Sequence, residues 1–296
     1  MRYLFIVNPT AGRGDTEEKW EEVKGLIEDI GLDYQVFFTE APGEAVFLAS
    51  EGVKSGFDVL VAVGGDGTVN EVIRGIKEVK HAHDVKLGII PTGTGNDLIR
   101  SLEIPKDIRE ALRIVKKGHT QRIDLGKIDN GYFLNVVGVG FDAAVANEVN
   151  TNINFLTGTA AYIYGVFKMI FKYKSHQMKI SIDDKVYSGR YFLVAVANGK
   201  YFGGGLKIAP QADPSDGYFN ICLIREVSQM EVVKVLPSVF NGNHINHPAV
   251  NFYKGKRVKI ESAEEVLVQA DGELKGTLPV TFEIQEKAIS ILVADK

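Results

Sequence analysis

Two loops, GGDGTVNE at residues 64–71 and PTGTGND at residues 91–97, decide the fold of this chain. Each loop directly follows a short apolar run that is typical of a buried strand. A third loop, NPTAGRG at residues 8–14, follows another such run at the start of the sequence. The carboxyl ends of parallel strands meet at one edge of an open sheet, where ligands bind, so we expect the three loops to lie close together.

Over the first 120 residues, apolar runs alternate with segments of helical periodicity. This order is typical of βαβ units, which build a mostly parallel sheet covered by helices. We therefore predict an open, mostly parallel α/β domain over residues 1–122, to which a C-terminal strand at about 288–296 returns. The predicted elements are strands at 3–7, 34–39, 58–63 and 85–90 and helices at 15–30, 43–54, 68–79 and 108–117.

From about residue 120 the pattern changes to alternating apolar and polar residues with few helical segments. The repetition of short period-two segments predicts a β-rich, sandwich-like domain over residues 123–287. The predicted strands are 122–128, 132–139, 179–183, 191–197, 218–224, 250–260, 266–270 and 280–284, and the predicted helices are 155–173 and 232–240.

The composition, 45% apolar and 24% charged residues, is that of an ordinary globular protein. A formal net charge of -4 provides no global basic field, so we predict no nucleic-acid partner. A single cysteine, Cys222, and a start without the pattern of a signal peptide favour the cytoplasm. Residues 155–173 are apolar but are interrupted by Lys168 and Lys172, so no transmembrane helix is predicted.

The loop at 64–71 has the properties of an anion site. Gly64, Gly65 and Gly67 can adopt positive φ and let backbone N–H groups approach a phosphate. Thr68 is predicted as the N-cap of the helix that follows. The loop lacks the Gly-Lys-Ser/Thr of a Walker A sequence, and Asn70 stands where GxGxxG requires its last glycine. For any single loop, a tight turn without a ligand is the alternative.

The combination of GGDGTVNEV, PTGTGND and the early NPTAGRG resembles the diacylglycerol kinase catalytic family, which includes bacterial lipid kinases and sphingosine kinases. GGDGT alone is shared with NAD kinases and the phosphofructokinase-like fold, but its combination with PTGTGND is more specific. The resemblance covers essentially the whole chain in order. It implies an NAD kinase/phosphofructokinase-like first domain and an ATP- and Mg²⁺-dependent kinase of a membrane lipid, with diacylglycerol as the leading substrate.

The resemblance also implies which residues bind nucleotide and metal. Mg²⁺ is expected at an acidic network of Asp66, Asp97 and Asp124, because this cation prefers hard oxygen ligands. Without the resemblance, the alternative is that Asp97 and Asp124 are helix-cap and turn residues, and for Asp124 this alternative is preferred. The residues expected to bind ATP are Asn8, Pro9, Gly12, Thr39, Gly64, Gly65, Asp66, Gly67, Thr68, Asn70, Glu71, Gly93, Thr94 and Asn96.

The sequence QADGE at residues 269–273 contains Asp-Gly, a strong hairpin-turn pair, and its pattern alone predicts only a turn. The resemblance implies that the general base lies here, since transfer to a hydroxyl requires a proton acceptor. Glu273 is the first choice for the base. Asp271 is its partner, which orients it or contacts Mg²⁺, and the sequence does not separate the two roles.

The sequence DPSDGY at residues 213–218 reads as an ordinary type I turn. The resemblance implies a structural Mg²⁺ held by Asp213, Asp216 and the backbone carbonyl of Tyr218. The role expected for this metal is structural rather than catalytic.

Residues 160–174 combine a largely apolar helical surface with a basic stripe at Lys168 and Lys172. Such a helix suits shallow docking on a membrane, so we expect peripheral membrane contact when the enzyme meets its lipid substrate. The alternative is that it packs against the β-rich domain or against a second copy in a homodimer.

Three other functions stay open at this point. Phosphatidylglycerol, polyprenol and sphingoid bases also offer an alcohol on an apolar body. An NAD kinase-like enzyme shares GGDGT and phosphorylates a soluble hydroxyl. A regulatory protein would bind nucleotide without turnover, although the acidic residues named above argue against this.

Overall fold

The structure is a computed structural model that describes residues 1–80, 84–129, 131–153, 156 and 158–295. Phe155 and Thr157 of the predicted helix at 155–173 and Lys296 of the predicted last strand lie outside the described residues. The chain forms two compact units, Met1–Ile123 with Lys287–Lys296, and Asp124–Glu286.

The first unit contains a parallel sheet in the order β2, β1, β3, β4, followed by the end of the last strand. That strand runs parallel to β4 through the pairs Ser290–Lys86 and Ile291–Leu87. The strands are β1 (Tyr3–Val7), β2 (Tyr34–Phe38), β3 (Val59–Gly64) and β4 (Lys86–Pro91), and the helices are α1 (Asp15–Ile30), α2 (Glu44–Lys54), α3 (Asp66–Glu78), α4 (Asp97–Ser101) and α5 (Ile108–Lys117).

The inner strands β1 and β3 are buried along their whole length, as their unbroken apolar sequences YLFIV and VLVAVG require. Their predicted positions are confirmed to within a residue. The prediction that Thr68 caps α3 is wrong, because α3 begins at Asp66 and its N-cap is Gly65. Thr68 is instead buried inside the first turn, where its hydroxyl accepts a hydrogen bond from Asn8 at 3.1 Å.

The second unit is built from antiparallel strands, in the order β14, β13, β7, β9, β8, β12, β15, with β10 between β9 and β11. The strands are β5 (Thr120–Ile128), β6 (Gly131–Phe133), β7 (Val136–Gly140), β8 (His176–Ile182), β9 (Lys185–Ala197), β10 (Phe219–Arg225), β11 (Val250–Gly255), β12 (Arg257–Glu261), β13 (Leu267–Ala270), β14 (Glu273–Thr277) and β15 (Val280–Leu292), and the helices are α6 (Phe141–Asn152), α7 (Gly158–Ile170) and α8 (Gln229–Asn241).

Three aromatic rings pack together in the core of the second unit, with Phe219 stacked on Phe133 and Phe282 edge-on to it. Phe133 lies 5.5 Å from Phe219 and 6.0 Å from Phe282, measured between ring centroids, and all three side chains are fully buried. A Cβ atom on Gly126 would lie 2.1 Å from the Phe133 ring, so only glycine fits at that position. The fold class predicted from the sequence, a parallel α/β unit and an antiparallel β-rich unit, is confirmed.

Several predictions for the second unit are wrong in detail. The predicted strand at 132–139 is two strands, β6 and β7, and β14 was not predicted. The predicted strand at 250–260 is two strands, because the carboxylate of Asp183 accepts the N–H groups of Lys256 and Arg257 and the chain changes partner there. Helix α6 was not predicted. It starts with six buried residues in succession and has no polar stripe in its first turns, so its sequence lacks the amphipathic signature of a helix.

Candidate active site

The loops after β1, β3 and β4 meet in the first unit and form one side of a cleft of about 540 Å³. The loop after β1 contains a short 3-10 helix, Ala11–Gly14, and the segment after β2 closes the other side. The cleft is lined by Asn8, Thr10, Ala11, Gly12, Thr39, Glu40, Ala41, Pro42, Gly65, Asp66, Gly67, Thr68, Glu71, Gly93, Thr94 and Gly95.

Most of the predicted nucleotide residues line this cleft, and four do not: Pro9, Gly64, Asn70 and Asn96. Asn96 lies below the surface and donates to the Gly93 carbonyl at 2.6 Å, which shapes the loop from behind. The segment 40–42 was missed, although it follows the carboxyl end of β2, where the same strand-end argument applies. Whether each residue contacts nucleotide stays a prediction.

Asn8 connects the first two loops. Its side-chain oxygen accepts from the Thr10 amide at 3.1 Å and the Thr10 hydroxyl at 2.8 Å, and its amide donates to Thr68. Asparagine can do this because it carries both an acceptor and a donor on one short side chain. The Asn8 side chain therefore holds the carboxyl end of β1 against the first turn of α3.

Glycines allow the loops to approach each other closely. A Cβ atom on Gly93 would lie 2.3 Å from the Cα atom of Gly65, and one on Gly12 would lie 2.3 Å from the Thr92 carbonyl oxygen. Gly12 also has a φ of +63°, which favours glycine. The two loop backbones thus lie against each other with no side chain between them, and their polar groups line the cleft.

Replacing Gly93 with alanine is expected to disrupt this arrangement. One of the two loops must shift, and overpacking a close contact costs about 1–3 kcal/mol. We expect a lower Tm in a thermal unfolding scan and a weaker affinity for nucleotide. Gly67→Ala is the matched control for stability, because a Cβ atom on Gly67 would meet no atom within 4 Å. Equal Tm values for the two variants would contradict the close approach of the loops.

Asp66 connects the second loop to the third. Its carboxylate accepts the backbone N–H groups of Asp97 and Leu98 at 3.0 and 3.1 Å. The side chain of Asp97 is buried and forms an ion pair with Arg100 at 3.1 Å. Both acidic residues are therefore positioned by the start of α4, and Arg100 balances part of their charge.

Lys106 responds to the same group of charges. Its pKa is lowered, first by partial burial and then by repulsion from Arg100, while Asp97 and Asp66 act in the opposite direction. Two cations and two anions therefore share this edge of the first unit.

The cleft itself is acidic. Glu40, Asp66 and Glu71 contribute carboxylates, and the lining residues that the structure describes include no lysine or arginine. Glu71 accepts the Gly43 amide at 3.0 Å, which holds it against the start of α2. A polyanionic ligand would be repelled by these carboxylates unless a cation entered with it.

In the second unit, Asp271 and Gly272 form the turn between β13 and β14. Their φ angles are +49° and +89°, as a two-residue type I′ turn requires. The predicted hairpin is confirmed. The Asp271 carboxylate accepts three backbone N–H groups, from Leu134 at 2.6 Å, Asn135 at 2.9 Å and Val136 at 3.1 Å.

Glu273 differs from Asp271 in its surroundings. Its side chain is 69% exposed and forms an ion pair with Lys275 at 2.7 Å. Both carboxylate oxygens of Asp271 thus accept hydrogen bonds from backbone amides, whereas the carboxylate of Glu273 is exposed to solvent. The assignment of the base to Glu273 stays a prediction.

Asp124 is fully buried in the second unit and accepts the Gly217 amide at 2.7 Å. Its own amide donates to the Pro214 carbonyl at 2.6 Å. The aspartate therefore anchors the loop that contains DPSDGY. This role was not foreseen from the sequence, and the predicted role in Mg²⁺ binding stays a prediction.

The predicted structural metal residues lie on that loop. Asp213 accepts the amide and hydroxyl of Ser215, and Asp216 accepts the Tyr218 amide at 3.0 Å. The second oxygen of Asp216 is paired with Lys254 at 2.6 Å. Lys254 supplies the positive charge that a metal would supply at this oxygen, so the metal site stays a prediction.

Within the described ranges, no three His, Cys, Asp or Glu side chains come together closely enough to hold a metal ion by themselves. A cation bound here would need further ligands from water or from a phosphate group.

An apolar cavity of about 80 Å³ lies in the second unit between α7, α8 and strands β9 and β10. Its lining contains aliphatic and aromatic side chains and very few polar ones. The residues that line it include Phe141, Tyr162, Val166, Phe192, Phe202, Leu206, Val232, Leu236, Val239 and His244. Beside it, α7 and the residue that follows expose Tyr164, Phe167 and Phe171.

The predicted basic stripe on α7 is partly neutralised. Lys168 forms an ion pair with Glu148 of α6 at 2.5 Å, and Lys172 also acts on the same carboxylate. Hydrogen bonding to Lys168 lowers the pKa of Glu148. No helix in the described part of the chain is long and apolar enough to span a membrane.

Comparison with known families gives matches to both parts of the chain. The model of the "Diacylglycerol kinase catalytic domain" matches residues 2–128. The model of the "YegS C-terminal NAD kinase beta sandwich-like domain" matches residues 135–293.

Curated proteins and solved structures agree with these matches. The chain is 33% identical over 290 residues to a diacylglycerol kinase of Staphylococcus epidermidis, which covers 98% of the chain and 91% of that protein. It is also 33% identical over 281 residues to a diacylglycerol kinase of Staphylococcus saprophyticus, covering 95% and 92%. A crystal structure of a candidate diacylglycerol kinase from Bacillus anthracis superposes with a TM-score of 0.82 at 27% identity, covering 99% of the chain and 97% of the other.

Proposed function

The chain belongs to the diacylglycerol kinase family and is a lipid kinase, and on this premise we propose that it transfers the γ-phosphoryl group of ATP to the hydroxyl of diacylglycerol. The product would be phosphatidic acid. The observation that carries the choice of a lipid over a soluble acceptor is the match over nearly the whole chain to relatives named diacylglycerol kinase, and the small apolar cavity between α7 and α8 would take only the end of an acyl chain.

The cleft of the first unit would hold a nucleoside triphosphate. Backbone polar groups of the loops at Gly12, Gly65, Gly67 and Gly93 are accessible because no side chains cover them. Asn8 and Thr94 offer side-chain hydrogen bonds beside them. These residues would hold the phosphates, and a Cβ atom at the glycines would reduce the space or force the loops apart.

The acidic lining of the cleft favours nucleotide that carries a divalent cation, which we propose is Mg²⁺. Mg²⁺ would offset the charge of the phosphates and of the group being transferred, and it keeps several water ligands. Asp66 is the carboxylate of the cleft that is best held, by two backbone amides. Asp97 would act with it, as the resemblance implies, and the role of Asp124 in Mg²⁺ binding stays a prediction.

Glu273 would accept the proton of the lipid hydroxyl. The hydroxyl oxygen forms a bond to the γ-phosphorus, the bond from this phosphorus to the bridging oxygen breaks, and ADP leaves. A carboxylate whose only described ion-pair partner is Lys275 has oxygens available for this task. Asp271 would hold residues 134–136 and the hairpin in place.

The experiment is phosphoryl transfer from γ-labelled ATP with Mg²⁺ to a panel of acceptors in mixed micelles. The panel contains diacylglycerol, phosphatidylglycerol, a polyprenol, sphingosine and, as a soluble acceptor, NAD. Label in diacylglycerol that is lost in Asp66→Ala supports the proposal. Label in another lipid corrects the substrate, label in NAD identifies a soluble kinase, and nucleotide binding without transfer identifies a regulatory protein.

We also propose that the enzyme meets its substrate through peripheral membrane contact at residues 160–174. Phe167 and Phe171 are about half to two-thirds exposed, and such aromatic side chains gain free energy on entering the lipid interface. Because Glu148 neutralises part of the basic stripe, apolar contact should contribute more than charge. A homodimer stays a prediction that light scattering of the purified protein would test.

Replacing Phe171 with glutamate should weaken binding to vesicles. Burial of a phenylalanine side chain is worth about 1.5–3 kcal/mol, so we expect a loss of about tenfold or more in a cosedimentation assay. Val186→Glu is the matched control, since it adds the same charge at an apolar residue of β9 with similar exposure. If both variants bind vesicles equally well, residues 160–174 are not the contact surface.

A further inference from the structure

A buried carboxyl group, Asp142 of α6, lies behind the hairpin that carries Glu273. Its side chain is only 1% exposed. One oxygen accepts the hydroxyl of Tyr162 in α7, and the other accepts the side-chain amide of Gln269 in β13. Neither partner is basic, so a charge on Asp142 has no cation beside it among these contacts.

Gln269 connects Asp142 to the Asp271–Gly272 turn. While its nitrogen donates to Asp142, its oxygen accepts the backbone N–H of Gly272 at 2.7 Å. Tyr162, Asp142, Gln269 and Gly272 therefore form a continuous chain of hydrogen bonds, which we call the Asp142 relay. It connects α7 through α6 to the residue directly before Glu273.

The polarity of the relay depends on an acceptor at position 142. A carboxylate offers two acceptor oxygens, so the nitrogen of Gln269 turns toward it and the oxygen of Gln269 turns toward Gly272. Without that acceptor the glutamine amide could rotate by half a turn. Its nitrogen would then face the Gly272 N–H, two donors would oppose each other, and the turn would lose its support.

The space occupied by the Asp142 carboxyl group requires a glycine at position 138, and its burial disfavours the charged form. A Cβ atom on Gly138 would lie 1.6 Å from an Asp142 oxygen, so only glycine fits there. Burial raises the pKa of Asp142 to about 6, while the hydrogen bonds from Tyr162 and Gln269 act in the opposite direction. A buried carboxyl group lowers the free energy of unfolding compared with an apolar residue of similar size. A side chain that served only to fill this space would therefore be better apolar.

A second side chain of α6 holds the same turn. Asn150 donates to the Gly272 carbonyl at 3.2 Å, so the N–H and the C=O of Gly272 are both tied to side chains. One tether is direct and the other runs through Gln269. The turn is thus fixed from α6 on both sides of its glycine.

We propose that Asp142 is a positioning residue of the kinase reaction, which acts through Gln269 to hold the Asp271–Gly272 turn and so to orient Glu273. The proposal rests on the proposed function for its effect on turnover, but the coupling of Asp142 to the turn does not. Asp142 would act only through Gln269 and would not contact the reacting atoms. Through Tyr162 it also connects the turn to α7, the helix next to the apolar cavity.

The first test measures the coupling of Asp142 to the turn without an enzyme assay. Amide hydrogen exchange of Gly272 is measured by NMR in the full chain and in Asp142→Leu, Gln269→Met and Tyr162→Phe. We expect exchange at Gly272 to rise by about tenfold in the first two variants, as the loss of one hydrogen bond predicts. Tyr162→Phe should leave it unchanged, because Asp142 keeps its bond to Gln269. Unchanged exchange in Gln269→Met, which leaves Asp142 in place, overturns the proposal even if Asp142→Leu does not fold.

The second test measures turnover with the lipid that the acceptor panel identifies. Asp142→Leu and Gln269→Met should lower kcat at least tenfold with the KM for ATP within about twofold. Asp142→Asn should restore most of kcat, since its oxygen can accept from Gln269 while its nitrogen donates to the Tyr162 oxygen. The double variant should lose no more than either single variant. Additive losses of kcat in the double variant, or a raised KM for ATP with kcat unchanged, would overturn the proposal. A wild-type protein without lipid kinase activity would refute the proposed function. The hydrogen-exchange result would then decide whether Asp142 is coupled to the turn.

Discussion

The Glu273→Gln variant should lose about 10²–10⁴-fold in kcat for the lipid acceptor, because general-base catalysis contributes about that factor. The glutamine keeps the size of the side chain and removes the group that takes up the proton. The KM for ATP should not change, because every residue that lines the cleft belongs to the first unit. The Tm should stay close to that of the wild type, because the side chain is largely exposed and its pair with Lys275 is a surface ion pair.

Initial rates with saturating ATP and Mg²⁺ measure this effect. Glu283→Gln provides the matched control. Glu283 is also an exposed glutamate on a strand of the second unit, and it pairs with a cation, Arg257, at 3.2 Å. The control should retain full activity. A Glu273→Gln enzyme that keeps a third or more of its kcat would show that another group takes the proton.

The parts of the site that a short sequence segment determines were predictable. The three loops follow strands whose apolar sequences mark their positions, and the parallel direction of the strands brings the loops together at one edge of the sheet. The same reasoning extends to the end of β2, where Glu40 and Pro42 were missed. Strand β2 has no buried residue, and the loop after it, TEAPG at residues 39–43, carries no glycine-rich signature.

The contacts that the sequence did not reveal join residues far apart in the chain. Asp271 binds amides at 134–136, and Asp124 binds the amide of Gly217. Local patterns describe each of these aspartates only as a turn residue. Their partners are fixed by antiparallel pairing of β13 with β7 and by the course of a loop, which no spacing in the sequence encodes.

The helix caps show how local propensity yields to packing. Thr68 has the side chain of a good N-cap, yet α3 starts two residues earlier at Asp66. The Asn8 side-chain amide donates a hydrogen bond to the Thr68 hydroxyl. A Cβ atom on Gly64 would collide with Thr68, so the threonine is packed against the end of β3. The contact between two loops determines the start of the helix, and the capping preference of one residue does not.

Replacing Asp271 with asparagine is expected to lower the stability of the second unit. Leu134, Asn135 and Val136 are buried, and their three N–H groups point at the two oxygens of Asp271. Asparagine keeps the oxygen that serves Asn135 and Val136 and turns its own amide nitrogen toward the Leu134 N–H. A buried donor without an acceptor costs about 1–3 kcal/mol. In a chain of this size we expect a fall in Tm of roughly 3–10 °C.

Asparagine is the matched substitution because it tolerates the positive φ of +49° at this position nearly as well as aspartate, so backbone strain does not add to the effect. Thermal unfolding followed by far-UV circular dichroism gives the Tm, and kcat is measured well below it. If Asp271 only positions the hairpin, Asp271→Asn lowers the Tm and Glu273→Gln does not, while both lower kcat. A variant with the wild-type Tm and a kcat as low as that of Glu273→Gln would instead make Asp271 the proton acceptor, because its carboxylate would then be needed for chemistry and not for the support of residues 134–136.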